Sequence, residues 1–186
     1  MKLTQETVRE LLEYNPEDGF FTWKPRGPEW FKLYRTYLMW NTRFAGNRAG
    51  CEYSREVDGY RRTGIKMPDG KRYSAHRLAW IYMTGRWPSL QIDHINRDAS
   101  DNRWANLREV PNFENDKNRS LQSNNRSGFT GVRWHSVANK WNARIYVNRK
   151  EINLGLYENL SDAVAARSRA EIEHGFHEGH GKPRPY

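Results

Sequence analysis

The sequence predicts an α+β protein of two modules, residues 1–116 and residues 128–186, joined by a basic linker at residues 117–127. Three observations carry this. "IDHINRDASDNRWANLREV" reads as strand, loop and strand, and runs into "PNFENDKN", a helix with Pro111 near its first turn; together they make a compact ββα unit over about residues 90–119. Farther along, "TGVRWH", "KWNARIYVN" and "EINLGL" alternate apolar and polar residues as half-buried strands do, and an alanine-rich helix follows, which predicts a three-stranded antiparallel sheet packed on one helix. Between the two lies "KNRSLQSNNRSG", polar and basic with no apolar period.

The N-terminal elements follow in order. Thr4 is a plausible N-cap, and Val8, Leu11 and Leu12 recur at helical spacing until Pro16 and Gly19 of "NPEDG" stop the helix. "FFTWK" reads as a strand, and "GYRRTGIKMPDGKRYSAHR" as two more joined at Pro68-Asp69-Gly70. Residues 26–46, with Trp30, Phe31, Tyr34, Tyr37 and Trp40, carry no period that assigns them; an insertion and a binding loop are both compatible. "SAHRLAWIYMTGRWP" reads as a short helix ended by Gly85. In the second module Ser161 is the expected helix cap, and Trp134, Trp141, Ile152, Leu154 and Leu156 fall on the inward parity.

Composition narrows the partners. Among 186 residues, 31 Lys and Arg against 22 Asp and Glu give a net charge of +9, which favours a polyanionic partner. Residues 117–186 hold 12 of the cations and 6 of the acids, so the last part is the more basic one. The lone Cys51 excludes an internal disulfide and a four-cysteine zinc ribbon, and fits a reducing cytoplasm. No apolar run approaches the roughly 20 residues of a membrane span, and the first residues read as a helix rather than a signal peptide.

Asp93 and His94 are adjacent, so they serve one site only if the strand ends or bends there. Asn96, Asp98, Ser100, Asp101 and Asn102 supply the turn chemistry for a tight, self-bonded loop. A carboxylate from the first strand and a side-chain oxygen from the helix suit one hard divalent cation, with Asp93 as the carboxylate and Asn115 as the leading helix candidate, ahead of Asn112 and Asn118. His94 beside it suits a general base, since an unperturbed imidazole titrates near pH ~6.5. His76, in front of an apolar helix face, reads as a packed histidine rather than a site residue. Arg108 is near enough to hold a phosphate.

"AHRLAW", "GRWP", "IDHIN", "DNR", "NLREV" and "EN", spread over residues 75–118, resemble the HNH endonucleases with a ββα-metal site, especially the phage and intron homing nucleases, and "LLEYNPEDGFFTW" is similar to their N-terminal part. That resemblance implies Asp93 as metal ligand, His94 as general base, Asn106 as the brace of the loop and Asn115 as second metal ligand, where asparagine in place of histidine resembles the homing branch. Such a site activates water with His94 while the cation stabilises charge on the phosphate and the leaving 3′-oxygen.

The polar face of the C-terminal strands carries Arg133, His135, Asn142, Arg144, Tyr146 and Asn153, suited to a DNA major groove. "GVRW", "KWNARIYV" and "LGLYENLSDAVAAR", within residues 127–175, resemble the AP2 DNA-binding domain, with Arg133 at a DNA-contacting arginine and His135, Arg144, Tyr146 and Asn153 departing from the plant pattern. Lys117, Arg119 and Arg126 of the linker are placed to follow phosphates.

The expected function is a metal-dependent HNH endonuclease of homing type that binds double-stranded DNA and hydrolyses its phosphodiester bonds, using Mg²⁺ with Mn²⁺ as a substitute. The expected setting is the cytoplasm, in a phage-infected bacterial host, without a membrane partner and as a monomer or homodimer. A DNA-binding regulator with an inactive HNH unit is the alternative; structured RNA fits less well, because its major groove is too narrow for a sheet to read.

Overall fold

A computed structural model describes residues 3–54, 61–118, 121 and 124–182. The chain divides into two compact units after Glu109, earlier than the linker expected at residues 117–127. The physical reason lies at Lys117, whose carbonyl accepts from the His177 N–H and lies 3.1 Å from His180 Nδ1, which ties this stretch into the second unit.

The first unit opens with α1 (Gln5–Leu11), capped by the Thr4 hydroxyl, which accepts from the Thr7 N–H. The helix stops one residue short of Leu12. Leu12 and Tyr14 are buried around an exposed Glu13, and this period of two wins: β1 (Leu12–Tyr14) pairs antiparallel with β2 (Phe21–Trp23). In the connecting turn Gly19 has φ 77°, and a Cβ there would lie 2.4 Å from the backbone at Asn102 and Arg103. The residues left unassigned by sequence form a short 3₁₀ turn (Pro28–Trp30) and α2 (Tyr34–Phe44).

Next come β3 (Cys51–Ser54), β4 (Arg61–Lys66) and β5 (Arg72–Ser74), a three-stranded antiparallel sheet with β4 in the centre. The β4–β5 turn forms at the expected place, with Asp69 accepting from the Lys71 N–H. Helix α3 (Ala75–Thr84) buries Ala75, Leu78, Ala79 and Ile81 and ends at Gly85 in the left-handed region. Its apolar face and α1 meet over one core that includes Val8, Leu11, Ile65 and Leu107. Finally β6 (Gln91–His94) and β7 (Leu107–Val110) pair as a two-stranded sheet closed by residues 95–106.

In the second unit α4 (Asn112–Asp116) precedes a sheet of β8 (Val132–His135), β9 (Lys140–Val147) and β10 (Lys150–Tyr157), with β9 central. Helix α5 (Leu160–Glu173) packs on it through Ala163, whose small side chain lets the helix approach Val132 and Ala143 closely. Its N-cap is Asn159 rather than Ser161. Three parity expectations fail here, Ile152 among them, which is exposed near the start of β10. A bulge between Asn153 and Gly155 shifts the register so that Leu156 pairs with Asn142, on the polar face, and is exposed. Trp134 is 49% exposed because β8 is an edge strand, and its ring meets Trp141 edge-on instead of entering the core. No helix among the described residues is long and apolar enough to cross a membrane.

Glu109 on β7 fastens the chain entering β6. Its carboxylate pairs with Arg86 at 2.6 Å and accepts from the Ser89 and Leu90 amides. The Arg86 guanidinium, with those amides, holds the Glu109 carboxyl down at about 2, so its contribution is present above its ordinary value of 4.5 and is lost as pH falls through about 2. Glu109→Gln therefore lowers the urea midpoint at neutral pH and flattens the decline of stability below pH about 4.5; identical midpoint–pH curves for the two chains would refute this.

Candidate active site

Strand β6 ends at His94, and the end of the strand lets two adjacent residues turn inward together: Asp93 is 3% exposed and His94 5%. Asp93 Oδ2 accepts from Arg108 Nε at 3.0 Å and Nη2 at 2.8 Å, across the β6–β7 pair. The sequence placed Arg108 on a phosphate; its guanidinium lies on the Asp93 carboxylate.

His94 Nε2 lies 3.2 Å from Asn102 Oδ1. The Asn102 amide donates its Nδ2 proton to the Ser100 carbonyl, so its oxygen faces the imidazole. Nε2 thus carries the ring proton, and in the neutral tautomer the basic lone pair is at Nδ1. The Asn102 carbonyl accepts from the Tyr14 hydroxyl at 2.6 Å, and burial pushes that phenol's pKa up, so it stays a donor.

The loop is bonded to itself. Asn106 Oδ1 accepts from the Asn96 N–H, while its Nδ2 donates to Asn96 Oδ1 and to the Asp101 carbonyl. Asp98 caps Ser100, and Arg103 grips Asp101 at 2.6 Å. Arg97 takes φ 69°, a left-handed turn residue inside the loop. His76, read from sequence as unconnected with the site, stacks edge-on against His94 with ring centroids 5.2 Å apart. Burial, reinforced by His94 and by Arg77 and Arg62, holds its pKa at about 3, so His76 is neutral at physiological pH. Tyr14, His76 and the role of Asn102 are what sequence reasoning missed; Asn102 was visible only as one more turn asparagine.

Among the described residues no three His, Cys, Asp or Glu side chains gather as a metal cage. The donors at hand are carboxylate and amide oxygens, which fit a hard cation that completes its shell with water and phosphate.

The other expected residues lie in the second unit. Asn115 is on α4, and Lys117, next to its end, pairs with Glu114 at 3.1 Å. Arg119 lies outside the described residues. Arg126 is exposed in the loop before β8. The sheet register sets Arg133 beside Asn142 and Arg144 beside Asn153, with Tyr146 next along β9, on one face. Several of these side chains are already engaged: Asn142 donates to Asn153 Oδ1, Arg144 pairs with Glu151 at 2.8 Å, and His135 Nδ1 accepts from the Ala138 N–H. Arg133 is exposed.

Residues 73–117 match the family model described as HNH endonuclease. The match spans β5 through α4 and the loop just described, and it supports an HNH nuclease and nuclease activity on DNA. Neither the curated proteins nor the solved structures gave a match to the chain.

Asn106→Ala leaves the Asn96 N–H and the Asp101 carbonyl without their partner and costs about 2–3 kcal/mol of unfolding free energy. Urea denaturation measures it; a loss under roughly 0.5 kcal/mol would show that the loop does not depend on this side chain.

Proposed function

We propose that this chain is a metal-dependent DNA endonuclease of the phage and intron homing type, with the Asp93 and His94 loop as its hydrolytic centre. The observation that carries the reading is a buried carboxylate next to an imidazole whose Nε2 is tied to Asn102. His94 takes a proton from water at Nδ1; the oxygen attacks phosphorus, and the bond to the 3′-oxygen breaks. Asp93 and, by the family pattern, Asn115 are the residues that would hold a cation, Mg²⁺ or in its place Mn²⁺. When bound, that ion supplies charge stabilisation to the phosphate and the leaving oxygen. Arg108 keeps the Asp93 carboxylate in one orientation, and Asn106 keeps the loop closed behind it.

The AP2-like sheet of the second unit is the proposed duplex-binding element, with exposed Arg133 its leading major-groove contact and Arg144, Tyr146, Asn153, Asn142 and His135 around it. Lys117, Arg119 and Arg126 contribute phosphate contacts. A second reading, a DNA-binding regulator with an idle HNH unit, draws on one observation: Arg108 occupies the Asp93 oxygen that a cation would also seek.

Mutagenesis separates the two. Asp93→Ala and His94→Ala each lower duplex cleavage by at least about 100-fold while affinity measured in EDTA stays unchanged; wild-type cleavage rates in both variants would remove the loop from the chemistry, and no cleavage by the wild-type chain beside tight duplex binding would favour the regulator. Asn102→Ala lowers the rate by roughly 10- to 100-fold with DNA affinity unchanged, and Asn102→Asp, which restores an acceptor for Nε2, recovers much of it. Equal loss in the two Asn102 variants would show that the residue serves packing alone.

A further inference from the structure

A buried arginine in the first unit has no carboxylate partner among the described residues. Arg26 is 9% exposed, and its guanidinium lies in the corner formed by two nearly perpendicular indoles, 3.8 Å from the Trp40 ring centre and 4.6 Å from that of Trp23. Its backbone is clamped at both ends by the Asn41 amide, at 2.9 Å each way. Its Nε is buried and makes no hydrogen bond among the described residues. Burial lowers its pKa only to about 10, so the group stays cationic at neutral pH. A buried cation without a counter-ion is unfavourable, and the attraction of the two aromatic rings offsets part of that.

Arg26 lines a cavity of about 590 Å³ together with Arg48, Lys66 and Arg72, and among the described residues no Asp or Glu lines it. Among the described residues none of these four cations pairs with a carboxylate. Aromatic faces hold the guanidinium groups: Arg48 sits 3.5 Å above Phe20 and Arg72 5.6 Å from Tyr53. A guanidinium held by a ring rather than by a carboxylate keeps N–H donors for another acceptor, and a phosphate supplies one. The cavity exceeds the volume of one phosphate group and has apolar walls at Trp40 and Phe44, which suits a length of sugar-phosphate chain.

We propose that this cavity, bounded by α2 and the β3–β4–β5 sheet, binds a backbone phosphate of DNA, a contact separate from the Asp93 loop and from the C-terminal sheet. The proposal rests on the reading of the chain as acting on DNA. It assigns a role to residues 26–46, which the sequence left open: they bring Arg26 and Trp40 to the cavity wall.

The test uses the full chain in EDTA, where binding is read without cleavage. Fluorescence anisotropy with a labelled duplex, over a series of salt concentrations, compares wild type with Arg48→Gln and Lys66→Gln, both exposed positions that leave the core intact, and with Arg26→Gln. Each of the two surface variants is expected to weaken binding about three- to tenfold and to reduce the slope of log K against log salt by about one. Unchanged affinity and slope in both overturns the proposal, whether or not Arg26→Gln folds. A parallel thermal-shift titration with pyrophosphate distinguishes the sources of phosphate. Stabilisation by pyrophosphate that Arg48→Gln and Lys66→Gln lose, with duplex affinity untouched, assigns the cavity to a free phosphate compound and overturns the DNA assignment. A chain that binds duplex through this cavity yet cuts nothing refutes the nuclease and leaves the inference standing; one that cuts normally while the variants bind as wild type refutes only the inference.

Discussion

Asn102 is the residue on which the site depends, because two parts of the first unit meet there. Its carbonyl receives the Tyr14 hydroxyl from β1, and its amide oxygen faces His94 Nε2. The neighbouring contacts make the position rigid. Pro16 accepts from the Trp104 N–H at 2.9 Å, and Gly19 leaves no space for a side chain against Asn102 and Arg103. The β1–β2 hairpin is therefore a buttress for the loop, and the core that buries Tyr14 and Phe21 also fixes which nitrogen of His94 bears a proton. An imidazole held in one tautomer needs no reorganisation before it accepts a proton, which is the benefit of building a base on a packed scaffold.

Charge is distributed with the same economy. In the loop and its flanks three acids have a short-range cation: Asp93 with Arg108, Asp101 with Arg103, Glu109 with Arg86, while Asp98 accepts from Ser100. The cavity around Arg26 is the opposite case: four cations, the three arginines each against an aromatic ring, and among the described residues no acid. Paired charge fixes geometry within the protein; unpaired, desolvated positive charge attracts a polyanion from outside it. The two arrangements lie in one unit.

Much of this was legible in the sequence where a period or a motif is strong. The strands of the second unit form where their alternation marks them, though only Val132, Ala143 and Ile145 keep the buried face throughout, and the Asp-His pair stands out, with Asn106 added by the family resemblance. What was hidden has physical causes. Helix α2 buries no residue completely, and β3 is nearly all exposed, so neither is marked by a fully buried face. Leu156 followed its strand's parity until Gly155, at φ 126°, took the bulge and reversed it. Asn96, Asn102 and Asn106 are equivalent as turn formers; which one meets the histidine depends on the path of a loop set by Arg97 and by the β1–β2 turn. The pairing of Arg108 with Asp93 likewise follows from the pairing of β6 with β7, which no local pattern encodes.

The most direct test of the central claim, that the Asp93 and His94 loop hydrolyses DNA, is incubation of the wild-type chain with supercoiled plasmid in Mg²⁺ and in EDTA. The account predicts open-circular or linear product with Mg²⁺ and none with EDTA. Plasmid that stays supercoiled in Mg²⁺ while the chain binds it tightly would contradict the account.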